Sequence, residues 1–187
     1  MTKLEMKKRV LALIEELNPE SEYLTDDPDI QAKIDFTMDQ VAFELARIKK
    51  ISKYVEMEVK AGDVIDFESI GEAVGYEVYQ VAKIEGIKYT VKANGTVFKV
   101  REGGTAEIDC YVYPVEITEK TKDKAYEFEL SADVLKIMPY GIAADLLKSD
   151  VSAEYGNVYA QRYEAMKSQL DPRYQVSSIH VEGGYNF

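Results

Sequence analysis

Apolar positions in the first fifty residues recur at intervals of three and four, the spacing of one face of an α-helix. Leu4, Val10, Leu11, Ile14 and Leu17 form a first stripe, opened by Thr2 and Glu5 in the capping-box pattern. Asn18-Pro19 is expected to stop that helix. Asp27 followed by Pro28 is a second start signal, a capping side chain and then a proline at the first helical position. From there Ile30, Ile34, Met38, Val41, Leu45 and Ile48 predict a long amphipathic helix reaching about Ile51, roughly 35 Å at 1.5 Å per residue.

At Tyr54 the period changes to two. Val55, Met57 and Val59 alternate with Glu56, Glu58 and Lys60, and Gly62-Asp63 reads as a turn. Val74, Tyr76 and Val78 alternate next. Asn94-Gly95 between IKYTVKA and TVFKV predicts a hairpin with a two-residue type I′ turn, because both central positions need positive φ. Gly103-Gly104 separates that hairpin from a further strand, TAEIDCYVYPVEI, and Tyr126, Phe128 and Leu130 predict a last short one. Residues 54–130 therefore read as an all-β module, barrel or sandwich, of six to eight strands.

Helical spacing returns at Ser131 with Leu135 and Met138, and Pro139 is expected to start a new turn or kink the helix. Ile142, Leu146 and Leu147 continue its face. A final helix is expected from about Ser152 to Leu170, with Tyr155, Tyr159, Arg162, Tyr163 and Met166 at three-and-four spacing, closed by Asp171-Pro172. The layout is an α+β fold: a helical pair (1–53), an inserted antiparallel β module (54–130), a helical hairpin (131–172) and an extended tail (173–187). Helical pairs flanking an insertion are expected to pack together as one bundle.

The chain is acidic, with 23 Lys+Arg against 34 Asp+Glu and a formal charge of −11 over 187 residues. Residues 54–130 hold −7 of it, from 9 basic and 16 acidic side chains. Such a chain has no general attraction to phosphate backbones or anionic lipid. One cysteine, Cys110, and one histidine, His180, exclude an intrachain disulfide, cysteine-based zinc clusters and most histidine relays. No run of apolar residues is long enough to span a membrane, and charges interrupt residues 1–17 too often for a secretory signal. A reducing compartment is expected.

Candidate chemistry is sparse, and neither a cofactor nor a metal is expected. Cys110 reads as a small core residue in mid-strand. Glu107 and Asp109 have the spacing of outward strand positions, and Asp63, Asp66 and Glu68 read as a solvated face, although carboxylate pairs of this kind could do acid–base work. Gly103-Gly104 and Gly183-Gly184 lack the lysine and hydroxyl residue that would make a phosphate loop, and read as turns. Tyr155, Tyr159, Arg162 and Tyr163 are candidates for a helical interface, with a buried stripe as the competing reading.

The segment RYQVSSIHVEGGYNF could add to the chain's own β module, stay disordered, or pair with an edge strand of a neighbour. Its apolar content argues against disorder. Docking on a neighbour is the favoured reading, through Arg173, Tyr174, Val176, Ile179, Val181, Gly183, Gly184, Tyr185 and Phe187.

The run LSADVLKIMPYGIAADLLKSDVSAEYGNVYAQRYEAMKSQLDPR resembles the C-terminal helical hairpin of tailed-bacteriophage head–tail adaptor (connector) proteins. The positions that carry the likeness are Pro139, Ala143, Ala144, Leu146, Leu147, Asp150, Tyr155, Tyr159, Tyr163 and Leu170: a proline, a small-residue helix, an acidic turn and a second helix with aromatic residues four apart. The long β insertion departs from the simplest adaptors. The resemblance implies a non-enzymatic virion structural protein, assembled in the host cytoplasm. It would form a ring, commonly of twelve copies, under the portal, and join head to tail. Portal and neck or tail proteins would be its partners, with passive contact to translocating DNA and none to a membrane. A carboxylate-lined channel would repel the DNA backbone and let it slide. The alternatives are a tail-completion or baseplate protein, or a β module that binds a ligand or acts on carbohydrate through two carboxylates.

Overall fold

The structure, a computed structural model, describes residues 1–118, 120–148 and 153–170. Among these the chain is mixed α and β, with five α-helices and two three-stranded antiparallel sheets. No helix of the described residues is long and apolar enough to cross a membrane.

Helix α1 (Lys3–Leu13) starts as its sequence dictates. Glu5 N–H donates to Thr2 Oγ1 at 3.2 Å, and Thr2 N–H donates to Glu5 Oε2 at 2.9 Å. It ends four residues before the expected stop at Leu17. Glu15 adopts φ 63° and the chain folds back, with Asn18 N–H donating to Leu24 O at 2.7 Å. Helix α2 (Pro28–Ile48) is capped by Asp27, which accepts from Asp29 and Ile30 N–H. Its stripe Ile30, Ile34, Met38, Val41 and Leu45 is buried.

Strand β1 (Ile51–Val59) begins three residues earlier than Tyr54, almost directly after α2. It is an edge of the first sheet, whose order is β1, β6 (Gly104–Val112), β3 (Val78–Glu85). The inner face brings Val55 and Ile84 opposite Ile108, with Ala106, Cys110 and Val112 buried along the central strand. The second sheet has β5 (Val97–Glu102) between β2 (Val64–Asp66) and β4 (Lys88–Lys92).

The 54–130 stretch is not all β. Helix α3 (Phe67–Val74) packs against β1, β2 and β3 and buries Ile70 completely. Asp66 caps it by accepting from Ser69 N–H at 2.9 Å, and Gly75 ends it in the left-handed region at φ 75°. The β4–β5 hairpin forms as expected, but its turn has four residues (93–96) instead of two. Ala93, Asn94 and Gly95 all take positive φ, so the reversal spreads beyond the Asn-Gly pair. Strand β6 stops at Val112, well short of Ile117.

The expected strand at Tyr126, Phe128 and Leu130 is replaced by a single bridge between Thr2 and Glu127. The main chain there is bonded to the N-terminal residues. Lys3 N–H donates to Tyr126 O at 3.0 Å, Leu4 N–H to Asp123 O at 2.9 Å, and Phe128 N–H to Met1 O at 3.1 Å. Residues 121–128 thus strap the start of α1.

Helix α4 (Ala132–Leu146) runs through Pro139 without a break. The proline leaves the Leu135 carbonyl without its helical donor. The helix persists because it is buried nearly all round, with Val134, Met138 and Ile142 fully enclosed. It packs against α1, α2 and α5 (Ala153–Ser168). Gly141 permits the last contact, since a Cβ there would lie 2.8 Å from the Tyr163 ring. Buried side chains from helices and strands form one continuous cluster.

Candidate functional site

The α5 candidates fall into a gradient. Tyr155 is 68% exposed. Tyr159 is half-buried and donates its hydroxyl to Leu13 O at 2.6 Å. Tyr163 is buried and donates to Glu44 Oε2 at 2.8 Å; burial first, and then Glu44, push its phenol far above the usual range. Arg162 lies over the Tyr140 ring, 4.5 Å from its centroid. Tyr159 and Tyr163 thus spend their hydroxyls within the chain, and Tyr155 is the tyrosine left facing outward. Tyr155 and Tyr159 line a groove of about 400 Å³ with Leu13, Ile14 and Leu147.

The tail candidates Arg173, Tyr174, Val176, Ile179, Val181, Gly183, Gly184, Tyr185 and Phe187 lie outside the described residues, as does Asp150 of the acidic turn.

Cys110 is fully buried, and burial raises its thiol pKa, so it sits in the core as expected. Glu107 and Asp109 point outward, also as expected. Antiparallel register sets Glu56, Glu107 and Glu85 directly opposite one another across all three strands, and sets Tyr54 and Lys83 beside Asp109. This face is a row of like charges, relieved by a Lys83–Glu85 pair at 2.7 Å. Among the described residues no group of three or more His, Cys, Asp or Glu is placed to hold a metal ion.

Two arrangements escaped sequence reasoning. The first is a charge network under the strap. Lys3, 1% exposed, lies 2.8 Å from Asp35 Oδ2 and 2.9 Å from Asp123 Oδ1, while Lys7 lies 2.8 Å from Asp35 and 3.1 Å from Asp123. Burial alone would lower the Lys3 pKa, but the two carboxylates outweigh it and raise it. Beside it Asp39 accepts from Ile117 N–H at 2.8 Å, and burial raises its pKa. Lysines three and seven had the spacing of one helix face, but nothing local distinguishes a buried lysine from a solvated one.

The second is an aromatic face. Phe36, Gln40, Phe43 and Arg47 recur at steps of four, three and four along the outer side of α2, a stripe legible beside the buried one. Phe36 is 66% exposed. Phe43 packs on Tyr113 with centroids 5.3 Å apart, Tyr113 on Tyr79 at 4.6 Å, and Tyr79 stacks on Tyr111 at 6.5 Å. Lys50 caps the row, 4.4 Å from the Tyr111 centroid. An open groove of about 690 Å³ runs along this face between Gln40, Phe43, Ile48, Tyr113 and Lys167.

No family model matches the chain, and no curated protein matches it.

Proposed function

We propose that the chain is a non-enzymatic virion structural protein, a head–tail adaptor that forms a ring under the portal, extends the DNA channel and joins head to tail. Its helices act as one bundle built from the two ends of the chain, and the two sheets with α3 are the insertion carried on it. The observation that carries this reading is the seating of α4. A proline-containing, small-residue helix is enclosed by α1 and α2 from one end of the chain and α5 from the other. That is the element order on which the resemblance to adaptor proteins rests.

In the ring, the row Glu56–Glu107–Glu85 is the surface that faces the channel, where fixed negative charge keeps DNA from sticking. Residues 173–187 reach a neighbouring copy or the portal by strand addition. Helix-face contacts, with exposed Tyr155 among them, hold neighbouring copies together.

The test is native mass spectrometry of the purified chain, alone and mixed with the portal protein of the same genome. A ring or a stoichiometric complex with portal supports the adaptor reading. A monomer that also ignores portal counts against it. A chain truncated at Asp171 is expected to fold yet fail to join its partner, and normal assembly of that truncation removes the docking role of 173–187.

A further inference from the structure

We propose that, while the chain is unassembled, residues 171–187 seat along the outer face of α2 in the same molecule, with Tyr174 and Val176 over Phe43 and Tyr113. The groove there holds about 690 Å³, and the stripe Phe36–Phe43 continues it toward the N-terminal half of α2. What selects this occupant is where the described chain stops. Lys167 lies on the groove rim, held 2.7 Å from Glu44 of α2, and Leu170 is buried one turn later. The chain therefore leaves α5 on the very face that lacks a cover.

Reach and pattern agree. Four extended residues span about 13 Å, and Gln40 to Arg47 spans about 10 Å of helix, so Tyr174 and Val176 arrive over the stripe with no slack loop. The segment repeats apolar residues two apart, at Tyr174 and Val176, Ile179 and Val181, and Tyr185 and Phe187. In a strand Tyr174 and Val176 share the side that lies on the apolar floor, while Ile179, Val181, Tyr185 and Phe187 fall on the other side. Charge is compatible as well. Arg47 has no ion-pair partner among the described residues, and the segment brings Asp171 and Glu182. The same segment cannot lie in this groove and pair with a neighbour, so the seat would hold it back until assembly. The seat itself stands on the groove, and its role in holding the segment back rests on the docking reading of residues 173–187.

The experiment places a nitroxide on Ser178→Cys in the full chain and measures relaxation enhancement of backbone amides by NMR. Cys110 is buried and stays unlabelled. The expected result is enhancement several-fold stronger at residues 36–47 than at other exposed amides within reach of the tether. It should fall to that background in Phe36→Ser, an exposed substitution that leaves melting unchanged. An even spread over all surfaces, or a profile indifferent to Phe36→Ser, overturns the proposal. A mixture of nitroxide-bearing unlabelled chain with isotope-labelled, nitroxide-free chain should show no enhancement. Equal enhancement in that mixture assigns the seat to a second copy and overturns it too. The ring assay and this one fail independently.

Discussion

The described residues treat charge in two opposite ways. Under the strap, Lys3 and Lys7 meet Asp35 and Asp123, two cations with two anions, where helices α1 and α2 meet residues 121–128. On the outer face of the first sheet, Glu56, Glu107 and Glu85 stand opposite one another in solvent. The difference follows from dielectric. In the interior a lone charge is costly, and Lys3 is held there by carboxylates that match it. In water a like-charge row costs a few tenths of a kcal/mol and can be kept for use against another molecule. The formal charge of −11 therefore describes two populations: one that holds the fold together and one that decorates it.

Breaking the matched set should have the largest effect. Lys3→Met leaves two carboxylates facing only Lys7. The expected loss is on the order of 3 kcal/mol, toward the lower end for a broken buried pair because Asp35 and Asp123 keep 25% and 32% exposure. Urea unfolding of the variant against the parent chain measures it. A loss below about 1 kcal/mol, ordinary for a surface pair, would mean that the strap does not depend on this network.

Acid sharpens the contrast within the seam. Burial alone would raise the Asp123 pKa, but Lys3 and Lys7 outweigh it and hold it below the usual range. A carboxylate lowered on folding stabilises the fold above its unfolded value of about 3.9, and that contribution is lost as pH falls through the folded value. Asp39 has the opposite sign. Burial raises its pKa, so its charge costs stability at neutral pH and the cost disappears as pH falls through its folded value. Asp39→Asn keeps an acceptor for Ile117 N–H without the charge. It should be more stable than the parent by up to about 1 kcal/mol near pH 7, with the advantage gone in acid. Unfolding free energies measured across the acid range check both signs, and a pH-independent difference would show that folding leaves the Asp39 pKa where it stands in the unfolded chain.

How much of this was legible in sequence depends on the range of the interaction. Thr2–Glu5 and Asp27-Pro28 satisfy orphan N–H groups within one turn, so α1 and α2 start where local chemistry says. The β1 alternation and the outward set of Glu107 and Asp109 follow from a period of two. Helix α3 was hidden because Phe67, Ile70 and Val74 span only two turns between strands, although Asp66 and Gly75 mark both of its ends. Tyr126, Phe128 and Leu130 alternate like a strand, but their main chain bonds to residues more than a hundred positions away. Pro139 by itself predicts a new turn or a kink, yet packing on three helices outweighs one missing hydrogen bond. For the candidate site the same limit applies. Spacing identified the α5 tyrosines as one stripe, but which of them would be enclosed depended on Glu44 and Leu13 on other helices.

The unmatched face yields smaller effects. Glu107 is central in its row, with a carboxylate on each side. Glu107→Gln should stabilise the chain by a few tenths of a kcal/mol at low salt and by nothing measurable at high salt, because exposed repulsion is screened. Thermal melts at two salt concentrations suffice. A destabilised variant would mean that Glu107 makes a favourable contact and that the row is not under repulsion.

The smallest expected effect is spectroscopic, and it asks whether the face behaves as one electrostatic surface. Tyr54 donates its hydroxyl to Glu56 Oε1 at 2.8 Å and stands beside Asp109, with Glu107 close by. The hydrogen bond to Glu56 first, then partial loss of solvent and the charges of Glu107, Glu56 and Asp109, push its phenol up to about 12. A phenol raised on folding favours the folded chain below the unfolded value of about 10, and this preference is lost as pH climbs through the folded value. Carbon NMR of the tyrosine Cζ resonances separates Tyr54 from the other thirteen tyrosines. Glu56→Gln should bring Tyr54 back toward its ordinary value, since the charged acceptor is lost. Glu107→Gln should lower it by less, because no hydrogen bond joins the two. Were the two variants to shift Tyr54 equally, the field of the whole row would outweigh the single bond. Were Glu107→Gln to leave Tyr54 unmoved, the carboxylates would be acting singly, and the proposal that this row faces a DNA channel would lose its physical basis.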